Sequence, residues 1–299
     1  SADGEYITAG SQDDKVYLFD KDSSTPHWGY YIGGQVRSVD ISENGEYIVA
    51  ARSSGHVHLF SQGDNDPIWT FSDWAAEPPS TYFEARTVAI SANGEYIAVG
   101  SGTNKVYLFS KDNGTPLWTS SSLAGLVRTV SISSNGDYIV AGTFNYGKVY
   151  LFGKNSSTPI WTYTPENSSP QVYGVSISAD GDYIAVSADE YIYLFSKDNN
   201  TPLWTYDIGT SAWKLTISSD GEYIATGTGS DTPRVYLFDK DSSTPQWTYT
   251  TPSVGTIWTV SISEDSNYIV AGDLNKVTHF FDRTNSTPLW TYSVSSGYV

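Results

Sequence analysis

The chain contains no cysteine and no methionine. The first absence excludes disulfides, thiolate metal sites and cysteine nucleophiles. The second, in a chain beginning at Ser1, is expected of a processed or excised product. Basic residues are scarce: 16 Lys and Arg stand against 33 Asp and Glu, a formal net charge of −17. That balance argues against nucleic-acid backbones and anionic membrane surfaces, which both need basic patches. No apolar run approaches the roughly 18 residues that span a bilayer, so no direct membrane insertion is expected. No window of helical period competes with the strand-like patterns described below. Aromatic residues reach 15% of the chain, which predicts a folded core despite the abundance of Ser, Thr and Gly.

What is present is a repeat. Asp3-Gly4-Glu5-Tyr6-Ile7 returns at residues 44–48, 93–97, 135–139, 180–184 and 220–224, and in degraded form as Asp265-Ser266-Asn267-Tyr268-Ile269. The seven tyrosines are 41, 49, 42, 45, 40 and 45 residues apart. Each copy is followed by a Val-Tyr-Leu-Phe-like run, at 16–19, 57–60, 106–109, 149–152, 192–195, 235–238 and 277–280. Thr-Pro-x-Trp then ends at Trp28, Trp69, Trp118, Trp161, Trp204, Trp247 and Trp290, with Asp66 replacing Thr in the second copy. These seven tryptophans read as structural residues that fill the gaps between neighbouring repeats.

The unit that begins at Val127 divides into four β-prone runs, 127–133, 138–142, 149–152 and 160–163, here called strands a to d. Four short strands recurring every 40–49 residues predict an all-β fold. The expected architecture is one domain, 1–299: a seven-bladed β-propeller of four-stranded antiparallel blades. The a–b turn reads Ser-x-Asx-Gly-acid-Tyr, with Gly supplying a positive φ. In the seventh copy Ser266 replaces Gly, which predicts that Asn267 takes the left-handed position. The Pro of Thr-Pro-x-Trp is expected to open strand d, where a missing N–H is tolerated. Aligning Trp290 with Trp118 places Val299 on Val127 and Ser1 on Ser133. One blade therefore lacks most of its innermost strand. A flanking domain of a larger protein, or a strand from another chain and hence self-assembly, would complete it.

These residues carry a family resemblance. Residues 106–118, Val-Tyr-Leu-Phe-Ser-Lys-Asp-Asn-Gly-Thr-Pro-Leu-Trp, resemble the repeat of pyrroloquinoline-quinone-type (PQQ-like, quinoprotein-like) propellers. Residues 90–101, Ile-Ser-Ala-Asn-Gly-Glu-Tyr-Ile-Ala-Val-Gly-Ser, look more like a WD40 repeat. The chain departs from both. No Trp-Asp ends strand c, and quinone-dependent dehydrogenases use eight blades and commonly an adjacent cysteine pair, which this chain lacks. The resemblance implies a propeller fold and no particular activity, so no cofactor is expected. Archaeal and other prokaryotic cell-surface propellers are similar in their acidity and their Ser, Thr, Asn and Tyr content.

The a–b and c–d turns are nearly uniform, whereas the b–c and d–a loops vary, which predicts a scaffold face and a recognition face. Trp74, Tyr82, Phe83 and Tyr146 on the variable loops are candidate partner contacts. The second residue of strand a is expected at the mouth of a central channel. Around the repeats it reads Arg37, Arg86, Arg128, Tyr173, Trp213 and Trp258, with Lys214 beside Trp213. Two readings stay open. These side chains either plug the mouth and pair with loop acids such as Glu84, or bind an anionic or sugar-like ligand.

Asn113, Asn155, Asn167, Asn199 and Asn285 begin glycosylation sequons, about the number that composition alone produces. No calcium loop, metal triad, nucleophile elbow or phosphate loop is present, and no metal is expected. Sialidase-type propellers use three arginines, but their six blades and remaining catalytic set find no match here. The expectation is therefore a noncatalytic scaffold at the cell surface or envelope that binds protein partners or surface glycans. Acidity alone equally suits the cytoplasm of a halophile. The alternative is a glycan-binding or glycan-acting propeller that uses the Arg/aromatic set.

Overall fold

Short apolar runs bounded by Gly, Asn and Asp form strands, and every regular element among the described residues is one. The structure, a computed structural model, describes residues 1–72, 85–166, 169–230, 232–252 and 254–294, without the side chains of residues 85, 86 and 230. The first sheet holds β1 (Tyr6–Gly10), β2 (Lys15–Asp20) and β3 (Trp28–Tyr31). The second holds β4 (Val36–Ile41), β5 (Tyr47–Arg52), β6 (His56–Ser61) and β7 (Asp64–Ser72). The third holds β8 (Ala85–Ile90), β9 (Tyr96–Ser101), β10 (Val106–Ser110) and β11 (Trp118–Thr119). The fourth holds β12 (Leu126–Ile132), β13 (Tyr138–Phe144), β14 (Val149–Gly153) and β15 (Trp161–Tyr163). The fifth holds β16 (Val172–Ile177), β17 (Tyr183–Ala188), β18 (Tyr191–Ser196) and β19 (Trp204–Asp207). The sixth holds β20 (Ala212–Ile217), β21 (Tyr223–Ser230), β22 (Arg234–Asp239) and β23 (Trp247–Thr250). The seventh holds β24 (Gly255–Ile262), β25 (Tyr268–Asp273), β26 (Val277–Asp282) and β27 (Trp290–Ser293).

Within each sheet the strands follow chain order, a meander of the propeller-blade type, and a short β21–β24 pairing links the last two sheets. Among the described residues the first sheet has three strands. The chain divides into two compact units, Ser1–Tyr146 with Tyr150–Ile160, and Gly147–Val149 with Trp161–Val299.

Both units are built from one contact. The strand-c phenylalanine is fully buried in six sheets: Phe60, Phe109, Phe152, Phe195, Phe238 and Phe281. Each lies beneath the tryptophan of the preceding sheet, with ring centroids 5.3–5.6 Å apart. The indole N–H then donates to a backbone carbonyl just past that phenylalanine. Trp28 reaches Gln62, Trp69 reaches Lys111 and Trp118 reaches Lys154. In the second unit Trp161 reaches Lys197, Trp204 reaches Lys240 and Trp247 reaches Arg283. A buried donor is thereby satisfied where the apolar ring is buried.

The a–b turns are equally regular. Ser133 Oγ donates to Asn135 Oδ1 at 2.8 Å and accepts the Tyr138 N–H at 3.1 Å. The same exchange runs through Ser1, Ser42, Ser91, Ser178, Ser218 and Ser263. The turn glycine is required twice over. Gly94 has φ +74°, and a Cβ there would stand 2.3 Å from the Tyr47 ring of the previous repeat.

Three expectations are corrected. Ser266 itself, not Asn267, takes the left-handed conformation, at φ 59°. Its hydroxyl donates to Asp220 Oδ2 at 3.1 Å, which holds the side chain in place. Strand d opens at Trp in six sheets rather than at Pro, because the residue between them uses its N–H first. Leu117 N, for example, donates to Leu108 O at 2.7 Å. In the seventh repeat the Val-Tyr-Leu-Phe equivalent is 278–281, one residue beyond the sequence expectation. Ile269 faces Phe281 just as Ile224 faces Phe238. Thr278 faces Gly272 as Val16 faces Gly10, so Val277 stands where Lys15 stands, and its N–H goes to the Asp273 carboxylate at 2.9 Å, which also meets buried His279 at 3.2 Å.

Candidate functional site

Strand a keeps apolar residues at i, i+3 and i+5, a spacing that strict alternation cannot bury on one face. Val127, Val130 and Ile132 are all buried, as are Val172, Val175 and Ile177, and Ala212, Leu215 and Ile217. A β-bulge resolves the conflict by leaving one residue unpaired and re-aiming its side chain. The ladder passes from Val36↔Arg52 to Ser38↔Ala51 and omits Arg37. It omits Arg86 and Arg128 in the same way in the first unit. In the second unit it omits Tyr173, Trp213 and Trp258. The six residues singled out from sequence are the six bulged residues.

In the second unit the ejected rings meet. Tyr173 and Trp213 lie 5.1 Å apart between centroids, and Trp213 and Trp258 are stacked at 5.4 Å and 24°. Tyr173 donates its hydroxyl to Gln171 Oε1 at 3.0 Å, which fixes the first ring. Trp258 ends the row with half its surface exposed, and Lys214 is exposed beside Trp213. Such a row offers an aromatic face to an apolar or sugar-ring ligand.

In the first unit Arg37 is exposed, while Arg128 is half-buried with its guanidinium 4.8 Å from the centroid of Phe144. That cation–π partner lies at the end of the extended strand β13, where the repeat pattern gave no warning of it. Tyr146, just beyond, is 70% exposed. Both Asn145 and Tyr146 have positive φ, so this loop holds an unusual backbone to present the ring. Trp74, Tyr82, Phe83, Glu84, Asn167 and the Arg86 side chain lie outside the described residues. Asn113, Asn155, Asn199 and Asn285 are exposed on c–d turns.

The opposite side is uniform. Lys111 pairs with Glu95 at 3.0 Å and Lys154 with Asp137 at 2.6 Å, and Lys197 pairs with Asp182. These same lysines supply the carbonyls that receive the indoles, so the c–d turns serve packing.

His56 and His58 stack at 6.4 Å between ring centroids. No cluster of metal-ligating residues exists among the described residues. His58 occupies the buried position held by Tyr107, Tyr150, Tyr193 and Tyr236 in other repeats and shares Nδ1 with the Thr70 hydroxyl at 3.0 Å. Burial, helped by the charges of Arg52 and His56, pushes it down to about 4. It is a neutral core residue at neutral pH.

A family model described as outer membrane protein assembly factor BamB, a PQQ-type repeat, matches residues 1–206. No curated protein matches the chain. The repeats beyond residue 206 keep the same Trp–Phe contact through Trp247 and Phe281.

Proposed function

The chain belongs to the PQQ-like repeat family described as outer membrane protein assembly factor BamB, and from that membership we propose a noncatalytic envelope scaffold whose seven repeat sheets serve as propeller blades. It acts outside the cytoplasm and binds partners through its b–c and d–a loops. One contrast carries this reading. The a–b and c–d turns are committed to internal bonds, repeat after repeat. On the other side the bulges leave Arg37, Arg128, Tyr173, Trp213 and Trp258 out of the ladder, and Tyr146 is held out to solvent. A uniform scaffold with individual loops is what recognition requires.

The test is co-sedimentation with envelope fragments from the producing cells. Wild type is expected to bind, and the Tyr146→Ala/Trp258→Ala variant to lose roughly tenfold in affinity, about 1.4 kcal/mol. Lys240→Ala, on the uniform side, is expected to keep full affinity. Equal loss by both variants would contradict the assignment of faces.

A second reading has its own observation. The Tyr173–Trp213–Trp258 row is a preformed stacking surface, and it supports binding of surface glycans without turnover.

A further inference from the structure

In an Asn-Gly pair the glycine puts no Cβ in the way, so its backbone nitrogen can approach the carboxamide carbon of the asparagine before it. The chain holds this pair at Asn44-Gly45, Asn93-Gly94, Asn113-Gly114 and Asn135-Gly136. Three copies lie in a–b turns, where the attacking nitrogen is already committed. Gly45 N donates to Ser42 O at 2.9 Å, Gly94 N to Ser91 O at 2.8 Å and Gly136 N to Ser133 O at 2.8 Å. All three glycines are buried and hold a positive φ of 72–74°. Their asparagines are pinned as well. Asn135 Oδ1 accepts the Ser133 hydroxyl at 2.8 Å and the Asp137 N–H at 3.0 Å, while its Nδ2 donates to Asp137 Oδ2 at 2.8 Å. Asn44 makes the same set with Ser42 and Glu46, and Asn93 Oδ1 accepts from Ser91 and Glu95.

The fourth copy lies in a c–d turn, which leaves it uncommitted. Asn113 is exposed and Gly114 half-buried. Among the described residues neither the Gly114 N–H nor Asn113 Nδ2 has a hydrogen-bond partner. The side chain of Asn113 is held only at Oδ1, which accepts the Thr115 N–H at 2.9 Å. That donor stands where negative charge develops on the carboxamide oxygen during attack, and so assists the reaction. The glycine sets Asn113 apart from its own kind of turn. Asn199 and Asn285 occupy the same position, are exposed, and accept the N–H of Thr201 and Thr287 at 2.9 Å each. They are followed by Asn200 and Ser286, whose side chains restrict the backbone. Of these six asparagines, Asn113 alone joins an accessible carboxamide to a glycine nitrogen that no bond holds.

We propose that Asn113 is a self-modification site of the folded chain, where the carboxamide converts to aspartate and isoaspartate. The Gly114 nitrogen gives up its proton to water and bonds to Asn113 Cγ. The Cγ–Nδ2 bond then breaks and ammonia leaves, closing a five-membered imide. Water opens that imide at either carbonyl, so one amide and one water become one carboxylic acid and one ammonia. The product adds a negative charge to a chain already at −17 and removes the glycosylation sequon that Asn113 begins. In the isoaspartate product the backbone runs through an extra methylene, two residues from Lys111, whose carbonyl accepts the Trp69 indole N–H. Gly114 itself lies against Trp69, 3.5 Å from that side chain at the position of a Cβ. Conversion therefore loosens the contact between the second and third sheets. It concerns the uniform turns, and its failure leaves the loop-side reading untouched.

Peptide mapping by mass spectrometry tests it, on unglycosylated protein incubated at mildly alkaline pH. In the folded chain Asn113 is expected to convert at least about tenfold faster than Asn44, Asn93, Asn135, Asn199 or Asn285, a difference of about 1.4 kcal/mol in barrier. In the urea-unfolded chain the four Asn-Gly pairs are expected to converge on one rate, while Asn199 and Asn285 stay slow. Gly114→Ser copies the Asn285-Ser286 pair and is expected to bring Asn113 down to the rate of Asn285. A Cβ at Gly114 meets Thr70 O at 3.3 Å, and the comparison within wild type decides the matter should that variant misfold. Equal rates at Asn113 and Asn44, or at Asn113 and Asn285, in the folded chain overturn the proposal. So does an Asn113 that stays unconverted while the unfolded chain reacts.

Discussion

The indole of Trp69 donates its N–H to the carbonyl of Lys111 at 3.0 Å, across the boundary between two sheets. The ring lies 5.3 Å from Phe109, which belongs to the same neighbour. Six repeats therefore hide their apolar face with residues of the next, and stability is a sum of such neighbour terms. Trp69→Phe keeps most of the ring but leaves the Lys111 carbonyl without its donor, an expected loss of about 1 kcal/mol in urea unfolding. Trp69→Ala also removes the packing and is expected to lose about 3–5 kcal/mol. Equal losses for the two variants would assign the bond no role.

The turn glycines separate conformation from crowding. Gly4 and Gly94 share a positive φ, but a Cβ at Gly4 meets nothing within 4 Å, whereas one at Gly94 meets Tyr47. Gly4→Ala is expected to cost about 1 kcal/mol, and Gly94→Ala at least about 1 kcal/mol more, because the ring must move. Thermal unfolding of the two variants measures the difference. Identical melting would show that the Tyr47 contact is soft.

Acid sensitivity is expected to concentrate at His58. Its pKa in the folded state is pushed down to about 4, below the ordinary 6.5, chiefly by burial. The unfolded chain therefore binds a proton that the folded chain refuses. This contribution to stability is complete above about pH 6.5 and is lost progressively as pH falls to about 4, a loss of roughly 3 kcal/mol. His58→Tyr, the residue of four other repeats, is expected to abolish that part of the pH dependence. Denaturant titrations at pH 7 and pH 4 compare the slopes. Parallel losses in wild type and variant would remove His58 from the account.

Much of this was legible in the sequence, and the exceptions share a cause. The positions of Tyr6, Trp28 and their six sets of equivalents announce the repeat, and strands β12 to β15 fall within two residues of the expected runs. The six residues that the ladders omit were found by position, but the bulges themselves depend on pairing with strand b. The signal was available in the i, i+3, i+5 burial of Val127, Val130 and Ile132. The seventh repeat misled because Val277 mimics the repeat valine, while the common register puts Thr278 in that valine's place. Contacts made by one loop, such as Arg128 on Phe144, have no periodicity to reveal them.

For the glycan reading, calorimetric titration with neutral and acidic oligosaccharides distinguishes the two ends of the ejected set. Trp258→Ala is expected to weaken neutral-sugar binding by roughly tenfold or more, the scale of one lost stacking contact of about 1–2 kcal/mol. Arg37→Ala/Arg128→Ala is expected to weaken only acidic sugars. No binding by wild type, or binding unchanged in both variants, would remove the ligand site.

Hydrogen exchange at the indole N–H groups, followed by NMR, interrogates the shared packing directly. The indoles of Trp28, Trp69, Trp118, Trp161, Trp204 and Trp247 are expected to exchange slowly as one class, well behind half-exposed Trp258. Rapid exchange at any of those six, at the rate of Trp258, would mean that the sheets are not joined by the Trp-to-carbonyl contact on which the account rests.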